Sequence, residues 1–142
     1  MLIAMLVAPL LAVIAWLATN ALVTPRPQAA RSGDAYPLRA LSNCRYRSGV
    51  CDLRNGDVQL TVTREVDGVW RLVSSQALDG GLLSIGATDA PRDCEPLNDT
   101  RQLWHCASGT RELDATAVAR IVVALGGAHY FAETSLTFAM SE

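Results

Sequence analysis

Two hydrophobic patterns divide the chain. Residues 2–23, LIAMLVAPLLAVIAWLATNALV, run apolar without one charged side chain. An apolar stretch of roughly 20 residues is long enough to cross a bilayer core as a helix. A helix also satisfies every backbone polar group internally, as hydrocarbon requires. Pro9 is tolerable there, and Trp16 lies toward the C-terminal end, where an interfacial aromatic is expected. The pattern predicts a transmembrane anchor over residues 1–23. A cleaved signal peptide is the alternative, with Thr19-Asn20-Ala21 supplying small residues before a cut. The run is long for a signal core and has no basic segment before it, so the uncleaved anchor is preferred; a soluble core helix ranks third.

Further on, the period becomes two. Val58, Leu60 and Val62 alternate with Gln59, Thr61 and Thr63, the signature of a half-buried strand. Asn55-Gly56 before it and Asp67-Gly68 after it are turn dipeptides. Residues 69–73, VWRLV, resume the extended pattern and complete a hairpin. Asp79-Gly80-Gly81 punctuates the chain before a strand over 82–85. Residues 88–101 read as a long polar loop, and 102–106 as a short strand. Residues 117–125 are rich in β-branched side chains, and Gly126-Gly127 turns the chain into 130–138, where Ala132, Thr134, Leu136 and Phe138 share a face. Residues 114–125 also fit a helix, with Asp114 as N-cap and Gly126 as C-cap. The Ile-Val-Val run disfavours it through restricted χ1, so a strand is preferred. Six or seven short strands at this spacing predict a mainly β domain, a small immunoglobulin-like sandwich over 37–142.

Residues 24–36, TPRPQAARSGDAY, carry two prolines and no apolar period, and read as a linker. About 119 residues follow the apolar segment, enough for one domain. The net charge of −2 leaves no electrostatic footprint for nucleic acid. All twelve basic residues are arginine, which resembles a high-GC bacterial coding bias.

The four cysteines all lie beyond the apolar segment. They form two clusters, Cys44/Cys51 and Cys94/Cys106, and allow three connectivities. Turn-forming Ser48-Gly49 in the first loop, and Pro96 with Asn98-Asp99 in the second, favour local pairing. Zinc sites prefer two to four residues between paired cysteines, and redox pairs favour CxxC; the gaps here are six and eleven. No metal ligand set or cofactor is expected, since His105, His129 and Met140 are scattered. Structural disulfides place the domain in an oxidising space. Arg26, Arg31 and Arg39 follow the apolar segment, and the positive-inside rule would put the domain in the cytoplasm. The cysteines are given precedence over three dispersed arginines.

No catalytic constellation emerges. Ser74, Ser75 and Ser84 lack a GxSxG elbow. Asp52 and Asp57 flank a turn, where Asx residues serve structure. The glycine pairs lack a phosphate-binding context. Trp16, Trp70 and Trp104 are the candidate partner-binding anchors, with core packing the preferred role for the last two.

The layout of one N-terminal span, a short linker, and an early cysteine pair (Cys44, Cys51) ahead of the strand over 57–63 resembles small bacterial membrane-anchored periplasmic proteins with an immunoglobulin-like domain. The resemblance implies an accessory role to respiratory or other membrane complexes, oxidase assembly and copper handling among them. The methionine- and histidine-rich copper motif is absent, so no ligand residue carries over. The expectation is a non-enzymatic subunit on the periplasmic side of the inner membrane, held in the bilayer by residues 2–23. It would bind another envelope or membrane-complex protein through uncovered strand edges or an exposed tryptophan. The alternatives are a metal- or thiol-handling assembly factor for a respiratory oxidase, and a secreted binding or inhibitor domain without residues 1–21.

Overall fold

The computed structural model describes residues 2–23, 30–109, 113–114 and 116–140. Helix α1 covers Leu2–Val23, with side chains described over Val7–Thr19. Among the described residues, those of α1 included, no helix is long and apolar enough to cross a membrane. Within α1 Val7, Leu10, Leu11, Val13, Ile14, Trp16 and Leu17 are all exposed.

The rest is mainly β. Ten strands follow: β1 Ala35–Pro37, β2 Arg39–Ala40, β3 Val50–Asn55, β4 Val58–Arg64, β5 Val69–Ser74, β6 Gly80–Ile85, β7 Arg92–Pro96, β8 Leu103–Ala107, β9 Val118–Leu125 and β10 Ala128–Ser135. They form one sheet in the order β1-β10-β9-β6-β7-β8-β5-β4-β3-β2. The two ends of that order are consecutive in the chain, separated only by Leu38. Its β1 half pairs in parallel with β10, and its β2 half pairs antiparallel with β3. The Leu38 amide adds a 2.7 Å bond to the Phe131 carbonyl. One extended segment thus bridges both edges and curls the sheet nearly into a barrel.

This corrects the expected sandwich of six or seven strands. The extra strands are short or carry few apolar residues. In β3 only Cys51 and Leu53 are buried, and in β7 only Cys94 is. That β7 lies within residues 88–101, which the sequence pattern presents as loop. It pairs with β6 through Arg92 and Asp93 and with β8 through Cys94–Pro96, so it links the two halves of the sheet. Gly80 and Gly81 lie inside β6 rather than ahead of it. Residues 118–125 form a strand, as preferred over the helix. Of the expected linker, residues 24–29 lie outside the described residues, and Ala35 and Tyr36 belong to β1.

The barrel has two ends. Residues 30–34 enter at the end that holds the β3–β4, β5–β6, β7–β8 and β9–β10 turns, and the Gly33 amide bonds the Gly127 carbonyl there at 2.9 Å. The β9–β10 turn is a two-residue loop with φ of 58° and 80° at Gly126 and Gly127, the hairpin conformation that L side chains resist. The opposite end is closed by two 3-10 turns, Ser42–Arg45 and Leu136–Ala139, with Leu136 and Phe138 fully buried.

Tyr130 lies inside the barrel, stacked on Tyr36 with ring centroids 5.4 Å apart. Burial first, and Tyr36 second, raise its phenol above the ordinary 10.0. The folded state therefore holds this proton more tightly than the unfolded chain. Its contribution to stability is intact below the unfolded value and declines as pH rises through the folded one. Denaturant unfolding across alkaline pH is expected to show that decline, and Tyr130→Phe to flatten it. An unchanged alkaline slope in the variant would exclude Tyr130 as the cause.

Candidate docking face

Alternation along β6, β9 and β10 decides which side chains leave the core. Leu83, Ile121, Val123, Tyr130 and Ala132 point inward and are buried. Their neighbours Leu82, Val122 and Phe131 point outward. The register aligns Leu82 with Val122, Val122 with Phe131, and Phe131 with Pro37. The result is an apolar row across four strands, about 14 Å wide at ordinary strand spacing. Leu82 is 36% and Phe131 44% exposed.

The rows beside it differ in character. On one side Ser84, Arg120 and Glu133 are in register. Arg120 Nε lies 3.4 Å from Glu133 Oε2, and Arg120 Nη1 donates to the Gly86 carbonyl. Ser84 Oγ donates to the Asp89 carbonyl at 2.8 Å, tying down the β6–β7 loop. On the other side stand Gly80, Ala124, the exposed His129 and Ala35. A shallow cleft opens on each flank of the Arg120–Val122 ridge. One includes Pro37, Phe131 and Glu133, the other Leu82, Ala87, Asp89 and Pro91. An exposed ion pair contributes little to stability. Beside an apolar row it presents both signs of charge, as interface rims do.

The two tryptophans of the sheet serve the core. Trp70 is fully buried and Trp104 is 2% exposed. Trp104 Nε1 donates to the Arg101 carbonyl at 2.8 Å, and the Arg101 guanidinium lies over its ring. Neither tryptophan is available as a docking anchor, because inward alternation places both in the core. Trp16 is exposed on α1. Cys44–Cys51 and Cys94–Cys106 are both bridged, and all four cysteines are buried. The second bridge joins residues directly opposite each other in β7 and β8. Asp52 accepts from Asn43 Nδ2 at 2.8 Å and Thr61 Oγ1 at 2.7 Å, a structural role. The Asp57 carbonyl accepts from Ser75 Oγ, while Ser74 and Ser84 are buried. His105 lies on the outer face of β8 between Arg71 and Glu95. His129 and Met140 stand at opposite ends of the barrel. Among the described residues no group of three or more His, Cys, Asp or Glu is placed to hold a metal.

The outer-face row was missed in the sequence because its residues come from four separated segments. Its one local signal is the unbroken Ile121-Val122-Val123 run, in which the middle residue has to face outward. No protein-family model matches the chain, and neither a curated protein nor a solved structure matches it.

Proposed function

We propose that this chain is a non-enzymatic, membrane-anchored accessory or assembly subunit on the periplasmic side of a bacterial inner membrane. The barrel docks on another envelope protein through Leu82, Val122, Phe131 and Pro37. The observation that carries this reading is that apolar row, flanked by small residues and an exposed Arg–Glu pair. Contiguous exposed apolar surface marks interaction sites, and a central aromatic with a polar rim is the usual anatomy of a binding patch.

Two features support the location. The described part of α1 exposes large apolar side chains around its circumference, and a helix apolar all round needs an apolar cover. A bilayer supplies it, with residues 2–23 as the crossing segment. Two bridged cysteine pairs suit an oxidising compartment. All four cysteines are bridged, and a metal would need them as thiolates. Tethering confines the barrel to the membrane plane and raises its effective concentration near a partner there.

Native membranes solubilised in mild detergent test this reading. The full chain is expected to resist alkaline carbonate extraction and to migrate in a larger assembly. Phe131→Glu is expected to weaken that assembly by about 30-fold or more, the size of a hot-spot loss. As an exposed substitution it should shift stability by no more than about 0.5 kcal/mol. A wild-type chain that migrates alone counts against the proposal.

A further inference from the structure

The sequence distributes charge unevenly. Residues 24–56 hold six arginines and two aspartates, while residues 57–142 hold six arginines and twelve acidic residues. The fold sets two of the early arginines face to face. Arg39 of β2 and Arg54 of β3 are directly opposite in register, where Cβ atoms stand about 4.5–5.5 Å apart and like charges repel. Both side chains are exposed. They line one cleft with Pro37, Leu41, Asn55 and Gly56, and no acidic residue contributes to that lining. Arg54 Nε donates to the Gly56 carbonyl at 3.3 Å. Among the described residues neither guanidinium has a carboxylate within ion-pair distance.

Two unneutralised guanidinium forks over one cleft match a phosphate, whose oxygens accept paired N–H bonds. We propose that this cleft binds the phosphate of an anionic lipid headgroup and seats the end of the barrel on the membrane surface. The proposal rests on the membrane-anchored reading.

Two observations favour a lipid over a free phosphate. First, the lining is partly apolar: Leu41 is exposed beside the two arginines, which suits an amphiphile better than a hydrated ion. Second, Arg54 stands next to the β3–β4 turn, at the barrel end where residues 30–34 enter. Seven residue steps separate Val23 from Ala30, so even a fully extended chain allows no more than about 25 Å between α1 and that end. A bilayer holding α1 therefore stays within reach of the cleft.

The test uses the full chain in a non-ionic detergent, titrated with short-chain phosphatidylglycerol, short-chain phosphatidylcholine or inorganic phosphate. Wild type is expected to bind phosphatidylglycerol in preference to both others, and added salt should weaken that binding. Arg39→Gln with Arg54→Gln is expected to reduce affinity by about tenfold or more, from roughly fivefold for each arginine near an anionic surface. The thermal midpoint is the control for folding. Equal binding of both lipids, or affinity that survives the double substitution, overturns the proposal. Inorganic phosphate binding as well as phosphatidylglycerol overturns the lipid as the source. Carbonate extraction separates the two readings. A chain released by carbonate sinks the anchor and, with it, the lipid contact. A chain that is retained yet shows no lipid preference sinks the cleft alone.

Discussion

Replacing Trp70 by alanine is expected to destabilise the barrel by about 3–5 kcal/mol, the range for deleting a buried large aromatic. Trp70 is fully buried on β5 and meets Phe138 edge-on, with ring centroids 6.0 Å apart. That contact couples the sheet to the 3-10 turn closing the barrel's far end. The loss is a large part of the roughly 5–15 kcal/mol that holds an ordinary domain folded. Trp70 Nε1 has no hydrogen-bond partner among the described residues. Trp70→Phe therefore removes an unsatisfied donor, worth about 1–3 kcal/mol, while leaving most of the ring volume. Its net cost should fall well below half that of alanine. Urea midpoints at constant slope measure both, and equal losses for the two variants would refute the buried-donor argument.

Opening both disulfides is the second large effect. Cys44–Cys51 and Cys94–Cys106 close loops of sequence separation 7 and 12. Loops of this size correspond to about 2.5 and 3 kcal/mol in the chain-entropy treatment. Two cysteine-to-alanine pairs, made separately, should each lower stability by about that amount. Together they approach the whole stability of a small domain, so reduction of the full chain should unfold much of it at ambient temperature. The first bridge has the greater local consequence. It pins the turn Ser42–Arg45 to β3, where the remaining ties include the Leu41 amide to the Asp52 carbonyl and Asn43 to Asp52. The second joins β7 and β8, which already share a ladder. A midpoint unmoved by reduction would contradict the staple role.

Much of the fold was legible where alternation is clean. The β4–β5 hairpin follows from Val58, Leu60 and Val62 with turn dipeptides on both sides, and the β9–β10 hairpin from Gly126-Gly127. The cysteine pairing followed from local turn chemistry. What stayed hidden has a common cause. β3 and β7 are held by backbone ladders and one bridge each, with two or fewer fully buried side chains, so their periodicity is too thin to register. Closure of the sheet depends on Ala35–Ala40, a segment whose pairing partners lie about 15 and 90 residues away and whose composition, with Pro37 and Arg39, resembles linker. Trp70 and Trp104 were legible as core residues. The apolar row of Pro37, Leu82, Val122 and Phe131 exists only once four strands are in register, and the facing arginines 39 and 54 only once β2 pairs with β3.

Site-specific photo-cross-linking in native membranes tests the docking claim most directly. A photoreactive side chain is placed in the full chain at Phe131 or Leu82, on the apolar row, and at Val73, which is exposed on β5 away from it. Positions 131 and 82 are expected to join the same membrane-associated protein, position 73 to join none, and Arg120→Glu on the rim to weaken the product. Equal capture from all three positions, or no product from 131 and 82 in correctly folded protein, would contradict a dedicated docking face.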